Sequence, residues 1–157
     1  MKGNLTYQQI EELLQKQVVG HLGCNDNDQI YVVPISYAYD GEYIYCHTHE
    51  GMKLRMMRKN PKVCFQVDEF ENMANWRSVI TWGKFEELQN GTEKDQAIQA
   101  LLHRSLPIIS SITTHLGKEW PFSSDDIKDI KGVVFRIKVV NSSGRFEKES
   151  ESPPITG

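Results

Sequence analysis

Two alternating apolar runs, QIYVVPISYAY and EYIYCH, flank the dipeptide Asp40-Gly41. Both turn residues tolerate positive φ, the requirement of a type I′ hairpin. A chain that reverses within two residues pairs its arms antiparallel, because parallel pairing needs a crossover of many more residues. This one step commits the middle of the chain to an antiparallel sheet. The turn-rich NDND does the same between VVGHLGC and QIYVVPISYAY. With KVCFQVD, WRSVITWGKFEEL and GVVFRIKVV the expectation reaches about six strands, joined mostly by short turns. Gly83, inside the longest run, marks a bulge or bend. The fold class is mainly β, an antiparallel barrel or sandwich with peripheral helices.

Helices are few. Thr6 can cap a first helix and Gln9 can complete its capping box, ahead of the stripe Ile10, Leu13, Leu14 and Val18. Met52 to Lys59 reads as a short helix stopped by Asn60-Pro61, and Thr92 to Arg104 as an amphipathic one built on Ala97, Ile98, Leu101 and Leu102. Residues 107–131 have no dominant period and are expected to form short helical pieces and loops. From Asn141 the composition turns to Ser, Glu, Lys and Pro, the pattern of a disordered tail. With no internal repeat or linker, one domain is expected over 1–140, followed by a tail over 141–157.

Charge narrows the partners. The 18 basic and 21 acidic side chains give a net charge of −3, so no global positive excess draws the chain to nucleic acid or an anionic membrane. No apolar stretch approaches a membrane span, and MKGNLTYQQIEELLQ is too polar for a signal peptide. Cys24, Cys46 and Cys64 are odd in number and set among apolar residues, which reads as buried free thiols in a reducing cytoplasm.

Any anion site must therefore be local, and YCHTHEGMKLRMMRKNP offers one. A strand there gives way to a cationic helix through a polar, glycine-hinged step. The first turn of a helix has amides without intrahelical partners and a partial positive charge, which together attract phosphate. Gly51 admits close approach, Thr48 offers a hydroxyl and Lys53 a charge. Arg55, Arg58, Lys59 and Lys62 oppose the single acid Glu50. Three charge-assisted hydrogen bonds, each roughly 1.5–3 kcal/mol, would supply at least about half of the ~8 kcal/mol of micromolar binding. The plainer alternative is a solvated basic face behind an ordinary turn glycine.

YVVPISYAYDGEYIYCHTHEGMKLRMMRKNPKVCFQVD, followed by NWRSVITWGKFEEL, resembles the pyridoxamine 5′-phosphate oxidase-like FMN-binding split-barrel superfamily. The likeness is to its branch of small proteins akin to nitroimidazole-resistance reductases, and it covers residues 18–90. The resemblance implies a six-stranded antiparallel split barrel that forms a homodimer with FMN at the subunit interface. It implies that Val33, Pro34, Ile35 and Ser36 present strand backbone to the flavin ring. His47, Thr48, His49, Gly51, Met52 and Lys53 would take the ribityl and phosphate side, and Trp76, Arg77, Ser78 and Val79 would reach across from the other subunit. The ending SSGRFEKESESPPITG does not look like the substrate-holding segment of the true oxidases, so pyridoxamine phosphate oxidation is not expected.

Other constellations read more plainly. His47 and His49 share a strand face at metal-ligand spacing, but further ligands are wanting and Cys46 points the other way, so no metal is expected. Trp76 can close a flavin pocket, whereas Trp82 and Trp120 read as core. Met52, Met56 and Met57 read as helix packing, and Glu86-Glu87 and Asp125-Asp126 as solvent-facing. No nucleophile triad is recognisable. The function expected is an FMN-dependent oxidoreductase passing electrons from a donor such as NAD(P)H to a small acceptor. The alternative is a flavin or haem carrier without turnover.

Overall fold

The computed structural model describes residues 1–104 and 131–150. In chain order these form β1 Lys2–Asn4, α1 Tyr7–Lys16, β2 Val19–Asp26, β3 Gln29–Tyr39, β4 Tyr43–Thr48, α2 Met52–Lys59, β5 Lys62–Asn72, β6 Asn75–Glu87, α3 Thr92–His103 and β7 Val133–Glu147. All pairings are antiparallel, in the order β1-β7-β4-β3-β2-β5-β6, and β6 returns to pair with β7. β2 to β7 thus close on themselves as a barrel.

Among the described residues seven strands stand where six were expected. The addition is β1, three residues long and too short to display a period, laid against the end of β7 through Lys2↔Glu147 and Asn4↔Arg145. The tail expected over 141–157 is not disordered at its start, because β7 continues to Glu147, and its part over 151–157 lies outside the described residues. Its polar residues Asn141 to Arg145 lie opposite Trp82 to Ser78 of β6, whose backbone supplies the ladder partners that hold them. Residues 105–130 and 151–157 are not described, so the expectations for 107–130, Trp120 and Asp125-Asp126 lie outside the described residues.

The strand alternation fills the barrel. Leu22, Ile35, Tyr37, Ile44, Cys46, Phe65, Val67, Val79, Phe135 and Ile137 form one buried cluster, which Ile10, Leu13 and Leu14 of α1 and Leu54, Met56 and Met57 of α2 join. Outside the wall, Ala97, Ile98 and Leu101 of α3 cover Ala38, Tyr45 and Val134. The three cysteines are free thiols, two of them buried. Among the described residues no helix is long and apolar enough to cross a membrane.

Local geometry follows the sequence with instructive departures. Asp40-Gly41 does reverse the chain, and Gly41 has φ +99°, but among the described residues Asn27 is the one non-glycine with positive φ. The turn is therefore not type I′. Asp40 Oδ1 instead accepts the N–H groups of Glu42 and Tyr43 at 2.9 and 2.7 Å, which closes the turn without a left-handed aspartate. Gly83 does sit at a register shift, where a Cβ would fall 2.3 Å from the Lys138 carbonyl oxygen. Trp82, expected in the core, faces outward and is exposed, since β6 alternates with Val79, Thr81, Gly83 and Phe85 inward and Trp82 and Lys84 outward. Glu86 and Glu87 are not merely solvated, as they pair with Arg136 and Arg58.

Candidate functional site

The site begins where two strands part. β3 and β4 pair at Tyr39↔Ile44, Ala38↔Tyr45 and Tyr37↔Cys46, and the ladder stops there. Continued in register, Ser36 would face His47 and Ile35 would face Thr48. β4 meanwhile keeps its other edge on β7 as far as Thr48↔Val133. The barrel is therefore split at the point where the two stretches singled out in the sequence face each other.

One lip is the free edge of β3. The Tyr37 N–H is donated toward β2, to the Val18 carbonyl at 2.9 Å. Alternation turns the Ser36 N–H and C=O, and the Pro34 C=O, to the opposite edge. Pro34 has no N–H and stands where the ladder asks for none. The Ser36 hydroxyl is buried without a hydrogen-bond partner among the described residues, a condition that costs free energy until something fills it.

The other lip is the end of β4. The Nε2–H of His47 is donated to the Lys131 carbonyl oxygen at 2.6 Å, and the His47 and His49 rings meet edge to face at 5.4 Å. Burial holds the His47 pKa below the usual imidazole value, with the neighbouring charges of His49 and Lys94 acting the same way and the Lys131 carbonyl opposing them. Gly132 closes this lip from behind. Its φ is +93°, and a Cβ there would lie 2.7 Å from the Thr48 oxygen, 2.9 Å from His47 Nε2 and 3.1 Å from His49 Nδ1.

α2 starts at Gly51 without a side-chain cap and with no acid in its first turn. The Gly51 φ of 175° is ordinary extended backbone, and a Cβ would meet nothing nearer than the His49 oxygen at 4.0 Å. Neither backbone nor packing therefore calls for glycine, and the space beside the hinge is open to a ligand. Lys53 is half-buried and its ammonium draws down the Cys24 and Cys46 thiols, although burial still pushes both upward. Lys53 and Arg55 form no ion pair among the described residues. Arg58 and Lys59, expected to add to the local field, are instead engaged by Glu50 with Glu87, and by Asp26.

The structure places Val33, Pro34, Ile35 and Ser36 on β3 beyond its last β4 pair. It places His47, Thr48, His49, Gly51, Met52 and Lys53 on the end of β4, the hinge and the start of α2, so that the β3 stretch and the end of β4 border the split. It does not bring Trp76, Arg77, Ser78 and Val79 to that split within one chain. Trp76 pairs with Glu147, at the opposite end of β7 from Val133. Trp76 Nε1 is donated to Glu147 at 3.2 Å, Arg77 to Glu69 at 2.9 Å, Ser78 Oγ accepts from Gln66 at 3.0 Å, and Val79 is wholly buried. Sequence reasoning missed Lys131 and Gly132. The signal available was a Lys-Gly pair directly ahead of the last strand.

An antiparallel barrel split along one seam, with an uncapped cationic helix following the strand that borders it, defines the class of split-barrel proteins. The model of the pyridoxamine 5′-phosphate oxidase family matches residues 6–146, so the chain belongs to that family. Among solved structures it is similar to an FAD-binding protein from Mesorhizobium loti, with 29% identity, a TM-score of 0.73 and coverage of 95% of this chain and 98% of that one. A Bacteroides thetaiotaomicron structure named for 5-nitroimidazole antibiotic resistance shares 20% identity over 93% of this chain and 87% of its own, with a TM-score of 0.69. An uncharacterised protein of Rhizobium meliloti is 43% identical over 70 residues, 45% of this chain, and the match spans 46% of that relative's length.

Proposed function

We propose that this chain binds a phosphorylated flavin, FMN, in the split between β3 and β4, and works as an FMN-dependent oxidoreductase. The observation that carries this is the interrupted β3–β4 ladder, which leaves a free strand edge on β3 where β4 runs on toward an uncapped helix start. The first-turn amides of α2, Thr48 and Lys53 hold the phosphate. Val33 to Ser36 offer alternating backbone donors and acceptors, suited to the polar edge of the ring, and the Ser36 hydroxyl gains a partner. His47, His49 and Met52 line the path between. The flavin, when bound, supplies hydride acceptance from a donor such as NAD(P)H and electron release to a small-molecule acceptor.

The site is completed by a second copy of the chain. On the exterior of the barrel Ile30, Val32 and Val140 are 76, 60 and 69% exposed, beside Trp82 and around a hollow of ≈480 Å³. Contiguous exposed apolar surface marks interaction sites. Val32, Pro34 and Ser36 are alternate residues on one face of β3. A copy covering the apolar face would therefore also reach the split, where its Trp76, Arg77 and Ser78 complete the pocket while Val79 stays in its own barrel interior. Arg77 is then the group placed to stabilise negative charge on the reduced ring.

The test is direct. The purified protein is expected to be a yellow homodimer that releases FMN on denaturation, identified by mass and absorbance. Lys53→Ala should weaken FMN binding by roughly 1.5–3 kcal/mol and riboflavin binding far less. Equal losses for the two ligands would remove the phosphate from this corner.

A further inference from the structure

We propose that Arg58 is a specificity-determining residue of the anion site, because it holds Glu50 off the first turn of α2 and so keeps that turn available to phosphate. This rests on reading the split as a phosphorylated-flavin site. Glu50 stands immediately before the Gly51 hinge, a position from which a carboxylate can fold back onto the open amides and satisfy them itself. A helix capped by its own chain in this way has nothing left to offer an anionic ligand.

The structure holds Glu50 elsewhere. Arg58 donates Nη1 to Glu50 Oε2 and Nη2 to Oε1, both at 2.8 Å, a two-point pairing that occupies both carboxylate oxygens. The guanidinium is anchored in turn by Glu87 of β6, through Nε at 3.1 Å and Nη2 at 2.5 Å. Arg58 lies in the last turn of α2, six residues after Met52, or about 9 Å along the axis. The Glu50 charge is thus fixed on the flank of the helix, tied to the barrel wall by way of Arg58 and Glu87. The guanidinium also holds the Glu50 carboxyl below the usual carboxylate range; released, a glutamate is still ionised at neutral pH and would compete for the amides. Exposed ion pairs of this kind add little to stability. What this one controls is where a negative charge sits beside a site that Lys53 and Arg55 otherwise keep positive.

The experiment titrates FMN and riboflavin into the flavin-stripped full-length chain and into Arg58→Gln, Glu50→Gln and the double variant, at low and high salt. Arg58→Gln should weaken FMN about tenfold at low salt and leave riboflavin within about twofold, with the FMN loss shrinking at high salt. Glu50→Gln should not weaken FMN, and the double variant should recover most of the loss. Should Arg58→Gln fold poorly, Glu87→Gln, which frees Arg58 from the wall, is expected to weaken FMN about threefold. An unchanged FMN affinity in Arg58→Gln, or a double variant as weak as the single one, overturns the proposal. If Lys53→Ala removes the preference for FMN while Arg58→Gln does not, the phosphate site stands and only the role of Arg58 falls. If the unaltered chain shows no preference for FMN over riboflavin, the reading of the site itself falls.

Discussion

α1 and α2 begin in opposite ways. Thr6 Oγ1 accepts the Gln9 N–H at 3.2 Å and Gln9 Oε1 accepts the Thr6 N–H at 2.8 Å, so α1 satisfies its own first turn. α2 opens on a glycine with no side chain to offer, and its nearest acid is drawn off by Arg58. α3 also starts on an uncapped glycine, Gly91, but carries Glu93 and Asp95 in its first turn and so brings its own negative charge. Of the three, α2 alone leaves both amides and charge uncompensated. The difference separates a helix end built for stability from one left open to a ligand.

The largest expected effect comes from abolishing the contrast. Gly51→Asp would give α2 the cap that α1 already has, in space that the structure leaves open. Stability should rise by about 1 kcal/mol, from the cap, the helix dipole and a stiffer unfolded chain. FMN affinity should fall by about a hundredfold or more, since two or three charge-assisted hydrogen bonds are lost and a like charge is added. Thermal melting and flavin titration read the two effects separately. A variant that melts higher and still binds FMN tightly would end the distinction between the two helix starts.

Gly132→Ala sharpens it from the opposing lip. The residue would be forced to keep φ near +93° with its Cβ 2.7 Å from the Thr48 oxygen, or else push the His47–His49 segment forward. A loss of about 1–3 kcal/mol of stability is expected, because backbone strain of this kind has that magnitude. Riboflavin and FMN should both weaken, since His47 and His49 move with the lip, with FMN losing somewhat more because Thr48 moves too. A loss confined to FMN would instead tie Gly132 to the start of α2.

Much of this is legible in the sequence alone. The period-2 runs and short turns gave the antiparallel sheet, and the Thr6–Gln9 box gave the start of α1 because a cap is chemistry among near neighbours in sequence. The split was not legible in the same sense. It exists because β4 leaves β3 after Cys46 yet stays on β7, a competition between two partners whose second member lies some ninety residues away. Gly132 was missed for the same reason, since its constraint comes from Thr48 across the sheet. The polar end of β7 looked disordered because its order comes from backbone pairing with β6 and not from its own side chains. Arg58 and Lys59 read as part of a local positive field because a charge count does not show that Glu50, Glu87 and Asp26 take them up.

The smallest effect is the control that gives the comparison its meaning. Thr6→Ala removes half of the α1 capping box and should destabilise the chain by about 1 kcal/mol, read as a lower melting temperature or denaturant midpoint. Flavin affinity should not change, because α1 lends Ile10, Leu13 and Leu14 to the interior and nothing to the split. Gly51→Asp and Thr6→Ala are thus expected to move stability in opposite directions, with only the first touching the ligand. Loss of FMN affinity in Thr6→Ala, at temperatures where the variant is fully folded, would mean that the split responds to barrel stability as a whole and that the two helix starts are not independent.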